Sequence, residues 1–67
     1  RLDALNRAVE RLDPEERALV TLFYYEDRSV GECAAITELS EGNVKVQLHR
    51  IRKKLYVLVN DEIDGKE

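Results

Sequence analysis

Five cations and two carboxamides fall within residues 40 to 56 of this 67-residue chain: Lys45, Arg50, Arg52, Lys53 and Lys54, with Asn43 and Gln47 among them. Ammonium and guanidinium groups neutralise phosphate, and carboxamides make paired hydrogen bonds to base edges. That chemistry suits a nucleic-acid surface, although the whole chain carries a net charge of -3. The charge is unevenly spread. Residues 1 to 39 hold five cations against nine acids, residues 40 to 56 hold five against Glu41 alone, and residues 57 to 67 return to -3. At a docking helix the local field outweighs the total.

Other chemistry finds little support. His49 is the single histidine and Cys33 the single thiol, too few ligands for a metal centre. A lone helical histidine among basic residues reads as a surface residue. Cys33 sits where a core wants an aliphatic side chain, so it reads as packing rather than redox chemistry. Glu15-Glu16 and Glu26-Asp27 read as helix-dipole partners and a polar connector. With no glycine-rich phosphate loop and no nucleophile–base pair, neither an enzyme nor a cofactor is expected. One cysteine excludes an internal disulfide and fits a reducing compartment, hence a cytoplasmic location. No apolar run approaches the roughly 18 residues of a membrane span, so no membrane insertion is expected.

The elements that would position these groups are legible as helices. Leu2, Leu5, Val9 and Leu12 recur at helical steps. Asp13 and Pro14 then end one helix and start the next, with Glu15 and Glu16 at its positive end. Ala18, Leu19, Leu22, Phe23 and Tyr25 would line that second helix's buried face. Ser29 and Glu32 form a capping box that opens a third, short helix at Val30, with Cys33, Ala34 and Ile36 small or apolar along it. Ser40 caps a fourth helix, whose apolar stripe is Val44, Leu48, Ile51, Leu55 and Leu58. Asn43, Val46, Gln47, Arg50 and Lys53 lie away from that stripe. The fourth helix is expected to run to about Val59, leaving residues 60 to 67 as a polar, frayed tail after a domain of residues 1 to 59.

No alternating pattern is long enough for a strand, so the fold expected is all-α: a small four-helix domain without a wing. Two short-turn helices, the second one basic, make a helix-turn-helix whose second helix enters the DNA major groove. Lys53 and Lys54 lie beyond the first two turns of that helix and are weaker contact candidates than Lys45 and Arg50. Only four aromatics and no Trp or Met are present, so the core is aliphatic and stability modest. The absence of an initiating methionine predicts a piece of a longer protein.

Three segments resemble the C-terminal region 4 domain of sigma-70 family factors, most closely the extracytoplasmic-function (ECF) group. Residues 12 to 26, Leu-Asp-Pro-Glu-Glu-Arg-Ala-Leu-Val-Thr-Leu-Phe-Tyr-Tyr-Glu, resemble a Leu-Pro-x-x-x-Arg stretch with an apolar run and a Tyr-x-Glu ending. Residues 29 to 34, Ser-Val-Gly-Glu-Cys-Ala, resemble Ser-x-x-Glu-Ile-Ala. Residues 40 to 55 resemble Ser-x-Gly-Thr-Val-Lys-x-Arg-Leu-x-Arg-Ala-Arg-x-x-Leu. The resemblance spans roughly residues 2 to 58, and it implies promoter recognition at the upstream (-35) element. Lys45, Gln47 and Arg50 match its DNA-facing positions, with Val46 beside them and Arg52 at a matching basic position. Asn43 is a further candidate for base hydrogen bonding, and Ser29 for a phosphate. Implied partners are double-stranded promoter DNA, the flap of core RNA polymerase, and anti-sigma proteins.

Three positions depart from the pattern. Glu38 stands in the turn where many relatives carry Gly; a left-handed backbone there would cost on the order of 1 kcal/mol. Gln47 replaces a common arginine and pairs better with adenine than with guanine. Ile51 replaces a small alanine on the core side. Two alternatives stay open: the helix-turn-helix of a response-regulator-type activator, whose Val-Lys-x-His ending residues 44 to 55 also echo, and a protein-interaction module with negligible DNA affinity.

Overall fold

The computed structural model describes residues 2 to 64, and these form an all-α domain of four helical segments. Helix α1 spans Leu2–Glu10, α2 Pro14–Val20 with a π-helical continuation over Thr21–Tyr25, α3 Val30–Thr37 and α4 Glu41–Asp64. No strand occurs among the described residues.

Each start has a local cause. Pro14 opens α2, and the Asp13 backbone N–H donates to Glu16 Oε1 at 3.0 Å. At α3 the capping box is complete: Ser29 N–H donates to Glu32 Oε1 at 2.9 Å, and Glu32 N–H to Ser29 Oγ at 3.1 Å. Ser40 caps α4 by accepting the Asn43 N–H at 3.1 Å. Between α3 and α4 the chain turns through Glu38, at φ 65° and ψ 25°, and the Glu38 and Leu39 N–H groups both reach the Ala34 carbonyl. The left-handed turn conditionally foreseen at Glu38 is therefore present, without the glycine that would adopt it most easily.

The core joins Val9 and Leu12, Leu19 and Val20 of α2, Cys33 and Ala34 of α3, and Val44, Leu48 and Ile51 of α4. Cys33, Val44 and Ile51 are completely enclosed, and burial pushes the Cys33 thiol above its ordinary range. Leu55 and Leu58 extend the α4 stripe as half-buried side chains. The Leu2 side chain lies outside the described residues.

Four expectations need correction. Ala18 and Tyr25 are exposed rather than core-facing, and Val20, outside the expected buried face, is buried; the apolar Ile36 of α3 is exposed. For Tyr25 the reason is the π turn, which closes with Glu26 N–H to the Thr21 carbonyl at 2.9 Å. Its i→i+5 hydrogen bond takes in an extra residue, so the apolar phase read at 3.6 residues per turn fails after Leu22. The fourth correction concerns the end of α4. It continues past Val59 to Asp64, because Asp61 and Glu62 find partners on α1 and its following turn: Arg7 Nε to Glu62 Oε1 at 3.0 Å, and Arg11 Nη1 to Asp61 Oδ2 at 2.9 Å and to Glu62 Oε2 at 3.1 Å. Residues 65 to 67 of the expected tail lie outside the described residues.

Candidate nucleic-acid interface

Turns of about 3.6 residues fix what each face of α4 presents. Taking the enclosed Val44 as the inward direction, the stripe Val44–Leu48–Ile51 faces the other helices. Val46, His49, Arg50, Lys53 and Val57 lie opposite it. Lys45 and Arg52 take one flank, and Asn43, Gln47 and Lys54 the other. Asn43, Lys45, Val46, Arg50 and Arg52 are all exposed, as are His49 and Lys53.

The expected DNA-facing residues are thus divided between faces. Val46 and Lys53 stand nearest the outward direction, with His49 and Arg50 to either side of them. Lys45 and Gln47 are roughly 200° apart around the helix axis and cannot meet one base pair together. Gln47 is half-buried and borders a cleft shared with Asp13, Glu15, Glu16 and Leu39. Three carboxylates beside it make that flank unfavourable to phosphate. Ser29 is exposed at the start of α3, but its backbone N–H is already spent on Glu32. The Glu41 carboxylate lies at the same helix end: its Oε2 falls 3.2 Å from where a side chain on Gly31 would begin. Only the Ser29 hydroxyl hydrogen remains to offer a phosphate.

Ion pairing separates the cations by task. Among the described residues Arg7, Arg11, Arg28 and Lys54 each pair with an acid. Lys54 Nζ donates to Glu16 Oε1 at 2.9 Å, and that hydrogen bond lowers the Glu16 carboxyl below its ordinary range while raising Lys54 above its own. The hydrogen bonds that Arg11 donates to Asp61 and Glu62 likewise raise its guanidinium. Lys45, Arg50, Arg52 and Lys53 have no ion-pair partner among the described residues. Four unpaired cations on the exposed side of one helix, with every α4 acid placed before Gly42 or after Asn60, form a surface for a polyanion.

His49 is exposed, as expected of a surface residue. A wheel referenced to Val44 places it on the outer arc between Lys45 and Lys53. No group of three or more His, Cys, Asp or Glu side chains among the described residues could hold a metal ion. No helix among them is long and apolar enough to cross a membrane.

Comparison with known proteins matches residues 2–55 to the family described as "Sigma-70, region 4". The chain is 40% identical over 58 residues to the RNA polymerase sigma-F factor of Priestia megaterium, a match that covers 87% of this chain and 23% of that protein. It therefore spans about a quarter of that relative's length. No solved structure matches the chain.

Proposed function

Because the chain belongs to the sigma-70 region 4 family, a DNA-binding helix-turn-helix of transcription initiation and not an enzyme, we propose that α4 reads the upstream (-35) promoter element for an ECF-type sigma factor. One observation carries this reading: the unpaired cations Lys45, Arg50, Arg52 and Lys53 share the exposed side of the helix that follows the α3–α4 turn. Val46 and Arg50, on the exposed arc of its early turns, meet base edges, Arg50 as the bidentate partner of a guanine. Lys45 and Arg52 on one flank hold phosphates of one strand. Asn43 and Gln47 sit toward the other wall of the groove, and Gln47 contacts an adenine only from the margin. Ser29 adds a single hydroxyl contact to a phosphate.

The match through residue 55 includes α1 and α2, which favours a sigma domain over a response-regulator helix-turn-helix. Core RNA polymerase is the second partner, through its flap. A shallow groove lined by Pro14, Ala18, Leu22 and Ile36 supports this, with Ile36 55% exposed although apolar. An anti-sigma protein would cover the same faces.

Selection from a random duplex pool at low salt tests the reading. The 67-residue chain should enrich a short motif, and Lys45→Ala/Arg50→Ala should lose it. Each lost phosphate contact lowers the dependence of log K on log salt by about 0.9. Enrichment unchanged by the double substitution would remove these residues from the interface. No enrichment at all would put the protein-interaction reading first.

A further inference from the structure

His49 is the only histidine in the chain, and its surroundings are entirely one-signed. On the helix surface it neighbours Lys45 at i−4, Arg52 at i+3 and Lys53 at i+4, with Arg50 adjacent in sequence. All four are unpaired among the described residues. The concavity His49 borders is lined by Arg52, Lys53, Tyr56 and Val57, all residues of α4 itself, so no carboxylate of α1, α2 or α3 lines it. In the free protein, a proton on His49 would add a fifth positive charge to this set. Against a duplex the field reverses, because phosphates then lie over the same arc and favour the charged imidazole.

We propose that His49 is a proton-coupled DNA contact: duplex binding draws one proton from solvent onto its imidazole, which then serves as a further phosphate-neutralising cation. The inference rests on the duplex-docking reading and adds to it a dependence on pH. Affinity rises as pH falls through the histidine range, while lysine and arginine side chains stay charged throughout it. Because the protonated ring adds one cation to the interface, the salt dependence also steepens on acidification. No other residue of the outer arc has this property.

The test is fluorescence anisotropy of the 67-residue chain with a labelled random-sequence duplex of about 20 base pairs, over a series of salt concentrations. Measurements are made at about pH 6 and about pH 8, to either side of the ordinary histidine range, and circular dichroism confirms equal helicity at both. Wild type should bind roughly three- to tenfold more tightly at the lower pH, the most that one proton allows being tenfold per pH unit. Its salt slope should steepen there by about 0.9. His49→Gln should bind as wild type does at the higher pH and lose both changes. His49→Arg should keep the acid-side affinity and slope at both. Duplex binding without pH dependence in wild type, or pH dependence retained by His49→Gln, overturns the proposal and leaves docking intact. Absence of binding by wild type at either pH removes the docking reading, and the proposal with it.

Discussion

Lys54 Nζ and Glu16 Oε1 lie 2.9 Å apart, and the same carboxylate oxygen accepts the Asp13 backbone N–H that opens α2. One oxygen thus caps α2 and anchors the middle of α4 to it. Lys54 belongs by sequence to the cationic cluster, yet its charge is paired with Glu16. A basic residue on a recognition helix is not automatically a DNA contact.

Lys54 and Arg50 should therefore separate under substitution. Lys54→Gln is expected to lower the melting temperature by a few degrees and leave duplex affinity and salt slope near wild type. Arg50→Gln should do the reverse, with stability unchanged and binding of the selected duplex weakened by about 1–3 kcal/mol as the preference for guanine relaxes. Thermal melts beside anisotropy titrations check both; a matching loss of affinity in Lys54→Gln would return that lysine to the interface.

The same pair predicts a pH dependence of stability. The folded Glu16 carboxyl lies below its ordinary range, so the unfolded chain binds its proton more tightly. Its contribution is present above the unfolded carboxylate's pKa and is lost as pH falls through the folded value. Lys54 is raised, so its share is present below the ordinary lysine range and lost as pH rises through the folded value. Urea denaturation of Glu16→Gln across the acidic range should show a flatter loss of stability than wild type. Parallel curves would mean that the pair adds nothing in solution.

Glu38 offers a stabilising change. Its φ of 65° is left-handed, which costs a side-chain-bearing residue on the order of 1 kcal/mol. Glu38→Gly relieves that strain while giving the unfolded chain more freedom, for a net gain of a few tenths to about 1 kcal/mol. The urea midpoint should rise at constant m-value. A fall would show that the Glu38 side chain supports the turn in a way its backbone angles do not reveal.

Gly42 distinguishes folding from docking. A Cβ there would meet nothing within 4 Å, and alanine favours a helix by up to about 1 kcal/mol over glycine. Gly42→Ala should leave the fold intact or firmer. If the start of α4 approaches the DNA backbone closely, the methyl group should weaken duplex binding severalfold. Equal affinity would place that turn away from the groove wall.

Much of the architecture was written locally. Ser29 with Glu32, Ser40 with the stripe from Val44 to Leu58, and Pro14 behind Asp13 are short-range signals, and each sets a helix boundary without help from distant residues. The segments within residues 12 to 55 carry the family pattern, and the clustering of Lys45, Arg50, Arg52 and Lys53 against an acidic background is itself the mark of a polyanion surface.

Tertiary structure decided the rest, because those outcomes depend on partners remote in the chain. Arg7 and Glu62 are 55 residues apart, and no local rule foresees that acids after Val59 would prolong α4 by docking on α1. The π turn at Thr21–Tyr25 shifts the phase of α2 through one changed hydrogen bond, turning Tyr25 outward. Which cations remain available is likewise a matter of packing: Lys54 meets Glu16 only once α4 lies against α2, whereas Lys53, one residue earlier, points the other way. Sequence determined the helices and the sign of the surface; the packing of α4 on its neighbours determined which of its charges are free.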